Sequence, residues 1–506
     1  MTSCVSEIHS FTNNMDYIGL SCGFHDAAVS VINSSGNIVF AGHSERYSKN
    51  KHDDNLCGSI IIDALRYTEN YQIHYYERPV LKYLRQLVAD QKPVLANLNV
   101  KHIIGSNNMK LLGNKKVYTH NHHLSHAAAG FQTSPFENAT VVIIDAIGEF
   151  DTITIWHAEY DADTGRAEYK KLWSQSYPNS IGLFYSAMTD RVGLRPLDEE
   201  YILMGMAAYG SNNVNLEDHL IKDVDELTFK YNLHKGIDPA FNPNGDHYDI
   251  AASSQALVET LITTVIKKAK SLGRSDNLVY GGGVALNCSA NRLLGEYYKD
   301  IWIMPNPGDA GSSLGAAALG YRYKIHWTDA FLGHDIPGNY PIDAVIKELY
   351  TNKIVGVASG RAEFGPRALG NRSLLADPRG PEIKDQVNGI KRRQKFRPFA
   401  PVILEELVDQ YFDMPLGWSD SRYMQSVARC RHPDLFPAIV HADGTSRVQT
   451  VPKDESGIRK LLEKWYALTG CPMLLNTSLN IRGEPMVNDR SDADRFEMMY
   501  GITVCS

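Results

Sequence analysis

The sequence predicts an α/β protein whose first part repeats one strand-and-helix pattern and whose last part starts again on a new strand. Three observations predict it. "MDYIGLSCGFHDAAVSVINSSGNIVFAGHSE" reads as three strands, Tyr17 to Ser21, Ala28 to Ile32 and Ile38 to Gly42, with Ser34-Ser35-Gly36-Asn37 as a turn. Val141 to Asp145, "VVIID", followed by the alternating "DTITIWHAEY", is a second hairpin of the same kind, so the first part reads as duplicated. "GHDIPGNYPID", around 333 to 343, is rich in Gly and Pro and marks a boundary, after which "IVGVASG" opens a strand-loop unit at 354 to 360. Two domains are therefore expected, 1–340 and 341–506.

The elements between follow from spacing. Residues 59 to 90 carry Ile60, Ile61, Ala64 and Leu65, then Leu81, Leu84 and Leu87, near helical spacing, and are expected to be helical. Val117-Tyr118 ends a strand, and Asn121 can cap a helix that begins at His122. Ala251 to Ala269 has the pattern of a strong helix. "NLVYGGGVALN" reads as strand, glycine-rich turn and helix start.

Composition narrows the function classes. The 506 residues are 43% hydrophobic and 22% charged, with a formal net charge of -7, which fits a globular chain and not a strongly basic nucleic-acid binder. Cys4, Cys22, Cys57, Cys288, Cys430, Cys471 and Cys505 are odd in number, scattered and without a Cys-x-x-Cys. That argues against a disulfide scaffold or a Cys-rich zinc site. No signal peptide or membrane span is read, so a cytoplasmic protein with no membrane partner is expected.

The histidines of "THNHHLSHAAAGF" are the first chemical signal: His120, His122, His123 and His126 fall within seven positions. On a helix His122 and His126 stand at i and i+4 and share a face, where two imidazoles can bind one divalent ion; the alternative is a polar helix face. Asp145, at a strand end, and Asp309, in "PNPGDAGSSLGAA", could complete the set, and each could equally be a turn-former or cap. Two His and two carboxylates suit Fe(II), Mn(II) or Zn(II). "GGGVALNCSAN", with Gly282, Gly283 and Asn287, would present backbone N–H groups and a helix N-terminus to phosphate. "GRAEFGPRALGNRSLLADPR" holds Arg361, Arg367, Arg372 and Arg379 on a loop constrained by Gly and Pro, which suits bidentate binding of phosphate or carboxylate. "KRRQKFRPFAPVIL" adds Lys391, Arg392, Arg393, Lys395 and Arg397, and "LLNTSLNIRGEP" adds Asn476, Thr477, Ser478 and Asn480 as small donors.

Taken in order, "GFHDAAVSVI", "ERYSKNKHD", "HHLSHAAAGF", "VIIDAIGE", "LMGMAAYG", "GGGVALNCSAN", "PGDAGSSLGAA", "GRAEFGPRALGNRSLLADPR", "KFRPFAPVI", "SRVQTV" and "LNTSLNIRGEPMV" resemble the O-carbamoyltransferase family that includes the tobramycin, cephalosporin and nodulation-factor carbamoyltransferases. The resemblance spans residues 17 to 487. It implies an N-terminal domain like the actin/sugar-kinase/heat-shock ATPases, in their threonylcarbamoyl-transferase branch, and a YrdC-like C-terminal domain. It implies that ATP and carbamoyl phosphate, with Mg2+, give a carbamoyl-adenylate, whose carbamoyl group passes to an acceptor hydroxyl.

Residue by residue, His122, His126, Asp145 and Asp309 match the family's metal ligands, with Fe(II) or another divalent ion. His25 matches the candidate general base and Lys51 a lysine of the transfer site. Lys391, Arg397, Arg447 and Ser478 match contacts to carbamoyl phosphate and ATP, and Arg367, Arg372 and Asn476 join them. Ile202 stands where family members commonly carry Lys. The expected acceptor is a small hydroxylated metabolite. Alternatives are a hydroxymethyl group on a nucleotide or DNA, for which the lysine-rich segment 91 to 116 is the candidate contact, threonylcarbamoyl-type tRNA modification, and a non-catalytic nucleotide-binding regulator. A homodimer stays open.

Overall fold

The computed structural model describes residues 15–238, 241, 242, 245–394 and 396–506; Cys4 and Lys395 lie outside them. The first sheet contains β1 (Asp16–Ser21), β2 (Ala28–Ile32), β3 (Ile38–His43), β4 (Tyr71–Tyr75) and β5 (Val117–Thr119), in the order β3-β2-β1-β4-β5. The second contains β6 (Asn138–Gly148), β7 (Asp151–Tyr160), β8 (Ala167–Ser176), β9 (Asn277–Gly281) and β10 (Asp300–Trp302), in the order β10-β9-β6-β7-β8. Read outward from the first strand of each, the two sheets are the same. Three strands meander antiparallel, and two further strands join parallel on the other side. Short turns dictate the antiparallel part, while the parallel strands need long crossovers, which here are helical. The duplication read from the two hairpins is therefore present strand for strand.

Two helices pack face to face between these sheets. α1 (His122–Thr133) lies on β6 and β9, and α3 (Ser312–Tyr321) lies on β1, β2 and β4. Their small residues allow it: Ala127, Ala128 and Ala129 are buried, and a Cβ on Gly315 would stand 1.7 Å from the Ser125 carbonyl oxygen. The longest helix, α2 (His247–Leu272), starts on an Asp246 cap and buries Ile250, Leu261, Ile262 and Val265 in a core shared with β6 and β7.

The last part holds a six-stranded mixed sheet. Its order is Gln449–Val451, Ala400–Leu404, Met473–Ser478, Arg372–Ala376, Ile354–Ala358 and Val504–Cys505. Strands Ile354–Ala358, Arg372–Ala376 and Ala400–Leu404 are buried throughout, which explains the unbroken apolar character of the first and last. The surrounding core draws its buried residues from 336 to 505. A seam joins it to the first sheet: Arg361 donates to the Val39 carbonyl at 2.8 Å and Arg46 to the Gly365 carbonyl at 2.7 Å.

Three sequence expectations change. Residues 59 to 90 are not one helix: helices Gly58–Ala64 and Pro79–Val88 flank β4, whose apolar and aromatic residues pair parallel with β1. Within the Gly/Pro-rich stretch, Phe331–Ile336 is a strand paired with Gly360–Glu363. After β9 comes only a 3₁₀ turn, Gly283–Leu286, and a four-residue helix, Cys288–Asn291.

Candidate active site

α1 begins where the sequence places it. The Asn121 side chain accepts the Leu124 N–H at 2.8 Å, and this sets the phase that puts His122 and His126 on one face. Both are buried. Asp145 reaches them from β6, whose pairing with β7 is irregular between Ile144 and Gly148. Asp309 reaches them from the turn before α3. His122 Nε2 lies 3.1 Å from Asp145 and 3.3 Å from Asp309, and His126 Nε2 lies 3.4 and 3.2 Å from the same carboxylates. One donor atom from each of the four falls within 4.8 Å of all the others.

The donor set fits a divalent cation. The two Nε2 atoms are 3.1 Å apart, so at most one hydrogen can lie between them, and two carboxylates crowd the same space. Two nitrogens and two oxygens suit Fe(II), Mn(II) or Zn(II). Burial opposes every charge here, yet the acids hold both imidazoles above their ordinary value and the imidazoles hold Asp145 well below its own. The other two histidines of the cluster are structural. His123 bonds Thr154 at 2.9 Å, and burial pushes it well below the usual range; His120 bonds His74 at 2.9 Å.

The backbone N–H groups of Gly282 and Gly283 are engaged at this centre. The Gly282 N–H donates to the Pro307 carbonyl at 3.0 Å, and the Gly283 N–H donates to Asp145 at 3.2 Å. Gly282 has φ +87°, and a Cβ there would meet the Ile144 carbonyl oxygen at 2.2 Å. Asn287 exchanges amide hydrogen bonds with Gln255 and caps the four-residue helix. The expected phosphate cradle is corrected in part: its two glycine N–H groups already have acceptors, and so short a helix sums little dipole, while Gly283 and Asn287 line the cavity between this centre and the last domain.

His25 stands at the edge of the same centre. Its Nδ1 lies 2.9 Å from Asp26 and its Nε2 3.7 Å from Asp309. Burial alone would lower it; the Asp26 hydrogen bond and the Asp309 charge raise it to about 9. Lys51 is exposed, pairs with Asp198 and sits 5.9 Å from the Tyr201 ring centre. Ile202 is buried in the core beside α2.

One cavity of about 1320 Å³ joins this centre to the last domain. His25, Asp145 and Asp309 line one part, and Arg367, Arg397 and Arg447 another. Lys391, Asn476 and Ser478 line it too. Among the described residues, no carboxylate lies within ion-pair distance of Lys391, Arg367, Arg393, Arg397 or Arg447, so five basic side chains line the cavity without an ion-pair partner. Burial and then Arg447 lower Arg367 to about 9; burial and then Arg397 lower Arg393 to about 8. Lys391 is pushed well below its usual range by burial and its arginine neighbours, and donates to the Ser478 carbonyl at 2.7 Å. Asn476 donates to Gln449 and Ala368 and keeps a buried, unpartnered Oδ1.

Arg372 is a second correction. It is fully buried, donates to the carbonyls of His334, Ser359, Gly360, Asn371 and Asn488, and does not line the cavity. It ties loops together. Arg361 likewise donates to carbonyls, and Arg379 pairs with Asp377. Of the four arginines in that block only Arg367 faces the cavity.

Sequence reasoning missed Asp26, His52, Asp198 and Tyr201 and gave Arg393 no role beyond its place in the basic run. Tyr201 links the two ends, with Arg397 4.8 Å over its ring and Lys51 on the same ring. Asp26 and His52 were within reach, since they adjoin His25 and Lys51 in "GFHDAA" and "KNKHD"; nothing local marks Asp198.

Comparison with known proteins gives the chain a family. Residues 63–318 match the family described as Carbamoyltransferase N-terminus, and residues 346–505 match Carbamoyltransferase C-terminus. An uncharacterized protein of Synechocystis is 32% identical over 94% of this chain and 93% of its own. Nodulation protein NolO of Bradyrhizobium diazoefficiens is 33% identical over 74% of this chain and 75% of its own, and nodulation protein NolNO of Sinorhizobium fredii is 28% identical over 93% and 76%. Among solved structures, HypF of T. kodakarensis covers 61% of this chain and 47% of its own at 13% identity and a TM-score of 0.36. Component A of the Acidaminococcus fermentans (R)-2-hydroxyglutaryl-CoA dehydratase covers 61% and 98% at 15% identity and a TM-score of 0.34. With its N- and C-terminal parts both matched, in order and across most of its length, the chain belongs to the carbamoyltransferase family.

Proposed function

We propose that this carbamoyltransferase is an ATP-dependent O-carbamoyltransferase working in two steps at the two ends of its cavity. The observation that carries the reading is the single cavity, lined by Asp145 and Asp309 of an N2O2 ligand set and by five basic side chains without an ion-pair partner. In this reading residues 341–506 are a YrdC-like adenylate-forming domain and residues 1–340 an actin-like transfer domain.

The cationic end suits two polyanions. Carbamoyl phosphate and ATP together bring more negative charge than one guanidinium can meet, and Arg367, Arg397, Arg447 and Lys391 supply fixed partners without reorganisation. Water takes the phosphoryl group of carbamoyl phosphate, inorganic phosphate leaves, and the carbamate oxygen so freed attacks the α-phosphorus of ATP, which expels pyrophosphate and leaves a carbamoyl-adenylate. The carbamoyl nitrogen donates into its own carbonyl, so the adenylate is needed as a better leaving group. At the other end the acceptor oxygen attacks the carbamoyl carbon, AMP leaves, and the acceptor proton passes to His25 Nε2, the ring nitrogen that Asp26 leaves free. A divalent ion held by His122, His126, Asp145 and Asp309 would supply Lewis-acid charge next to His25. It would also offset the acids that raise His25.

The acceptor is proposed to be a small hydroxylated metabolite. Asp26, Glu45, Asp198, Glu199 and Glu200 outnumber Lys51, His52 and Arg195 on one wall of the cavity, a balance that disfavours a phosphate backbone. Duplex DNA should therefore fail to bind at low salt. Binding that weakens steeply as salt rises would move the reading to a hydroxymethylated base, with segment 91 to 116 as the contact. Pyrophosphate release from ATP that requires carbamoyl phosphate tests the first step.

A further inference from the structure

Asp26 and His52 form an unbroken hydrogen-bonded chain behind His25. Asp26 Oδ2 lies 2.9 Å from His25 Nδ1, and its Oδ1 lies 2.7 Å from His52 Nδ1. His52 Nε2 lies 2.9 Å from Asp198 Oδ1. Asp198 also holds Lys51, and its second oxygen lies 2.6 Å from Arg195. Three chain segments, 22–27, 49–53 and 192–199, meet in this way. Asp26 and His52 adopt φ of +53° and +56°, a conformation L-residues enter at a cost, and the hydrogen bonds fix them there.

Both ring nitrogens of His52 face carboxylate oxygens. A neutral imidazole has one N–H and one lone pair, and a lone pair set against a carboxylate at 2.7 to 2.9 Å is repulsive. The ring therefore donates through both nitrogens and is an imidazolium. The Asp198 and Asp26 hydrogen bonds overcome burial and raise His52 to about 10, in agreement with the geometry. Asp26, Glu45 and His52 are close enough to hold a metal ion. His52, however, already brings positive charge to the cluster, both its nitrogens are engaged, and Glu45 accepts the His52 backbone N–H at 2.9 Å.

We propose that Asp26 and His52 are positioning residues of the transfer step. The charged His52 ties Asp26 to Asp198, and Asp26 in turn fixes the His25 ring with Nδ1 donating to it and Nε2 turned toward Asp309 and the cavity. Asp26 sets the His25 tautomer, as a buried carboxylate does for a catalytic imidazole elsewhere. The role in transfer rests on the proposed function; the hydrogen-bonded chain itself does not.

The test is the ring-nitrogen NMR spectrum of the full-length protein, labelled with 15N-histidine, with Zn2+ added as a diamagnetic divalent ion. His25→Gln and His52→Gln assign the two rings. At neutral pH both nitrogens of His52, and Nδ1 of His25, should carry protons. Asp26→Asn offers one acceptor oxygen to two N–H donors, so one of the two rings must lose its Nδ1 proton. If that variant fails to fold, Asp198→Asn replaces it and should deprotonate His52 Nε2 while leaving His25 Nδ1 protonated. A wild-type His52 with one bare nitrogen, or both Nδ1 protons retained in Asp26→Asn, would overturn the proposal. Unmoved spectra together with carbamoyl phosphate-dependent pyrophosphate release would remove only the brace. Shifted spectra without that release would remove only the functional reading.

Discussion

His122 and His126 face each other Nε2 to Nε2 at 3.1 Å, with a carboxylate oxygen of Asp145 and one of Asp309 within 3.4 Å of each. Such a pair is stable when a cation lies between the four donors. Adding Fe(II), Mn(II) or Zn(II) at about 100 times its dissociation constant should stabilise the protein by about 2.7 kcal/mol. His126→Ala should abolish that gain and the bound ion. Because His126 is buried, the variant will melt lower in any case. The readouts are therefore the added-ion shift and the ion content, and full ion content in His126→Ala would contradict the ligand set.

Arg372 and Arg367 lie five residues apart and should behave oppositely. Arg372→Ala strips donors from five buried or half-buried carbonyls and should cost at least about 3 kcal/mol of stability, measured by chemical denaturation. Arg367→Ala removes a side chain with no protein counter-charge and should fold normally. Losing one charge-assisted phosphate contact, worth about 2 to 3 kcal/mol, should slow pyrophosphate release roughly 30- to 150-fold.

Buried neutral histidines predict acid sensitivity that begins above the carboxylate range. Burial and then Arg46 lower His43 to about 3, and burial and then His120 lower His74 to about 3. In the unfolded chain each takes up its proton near pH 6.5. The folded value is the depressed one, so each contributes stability that is complete above about 6.5 and is lost as pH falls toward 3. The slope is about 1.4 kcal/mol per pH unit for each group. Denaturation at successive pH values should show His74→Gln with a shallower slope than wild type between about pH 6 and 4. Equal slopes would contradict the assignment.

Much of the fold was legible because its signals are local. The β-branched and apolar runs at 28–32 and 151–160 between turn residues report strands, and Asn121 before His122 reports a cap. The 59–90 segment misled because β4 is only five residues long and its neighbours have helical spacing; only pairing with β1 decides it. The site was legible where one residue type does one thing, as in the His122–His126 pair. It was illegible where an arginine's role depends on what surrounds it. Arg367 and Arg372 look alike in "GPRALGNR", yet one faces a cavity and the other fills a core. Asp198 could not be found locally, because its partner His52 is 146 residues away.

The central claim is that the arginine-lined end of the cavity activates a carbamoyl group at the expense of ATP. Pyrophosphate release measured with purified full-length protein, ATP, Mg2+ and carbamoyl phosphate tests it most directly. The account predicts release that requires carbamoyl phosphate, falls at least roughly 30-fold in Arg447→Ala, and persists in His25→Ala, which fails only to pass the carbamoyl group on. Release that is independent of carbamoyl phosphate, or that survives Arg447→Ala and is lost in His25→Ala, would contradict it.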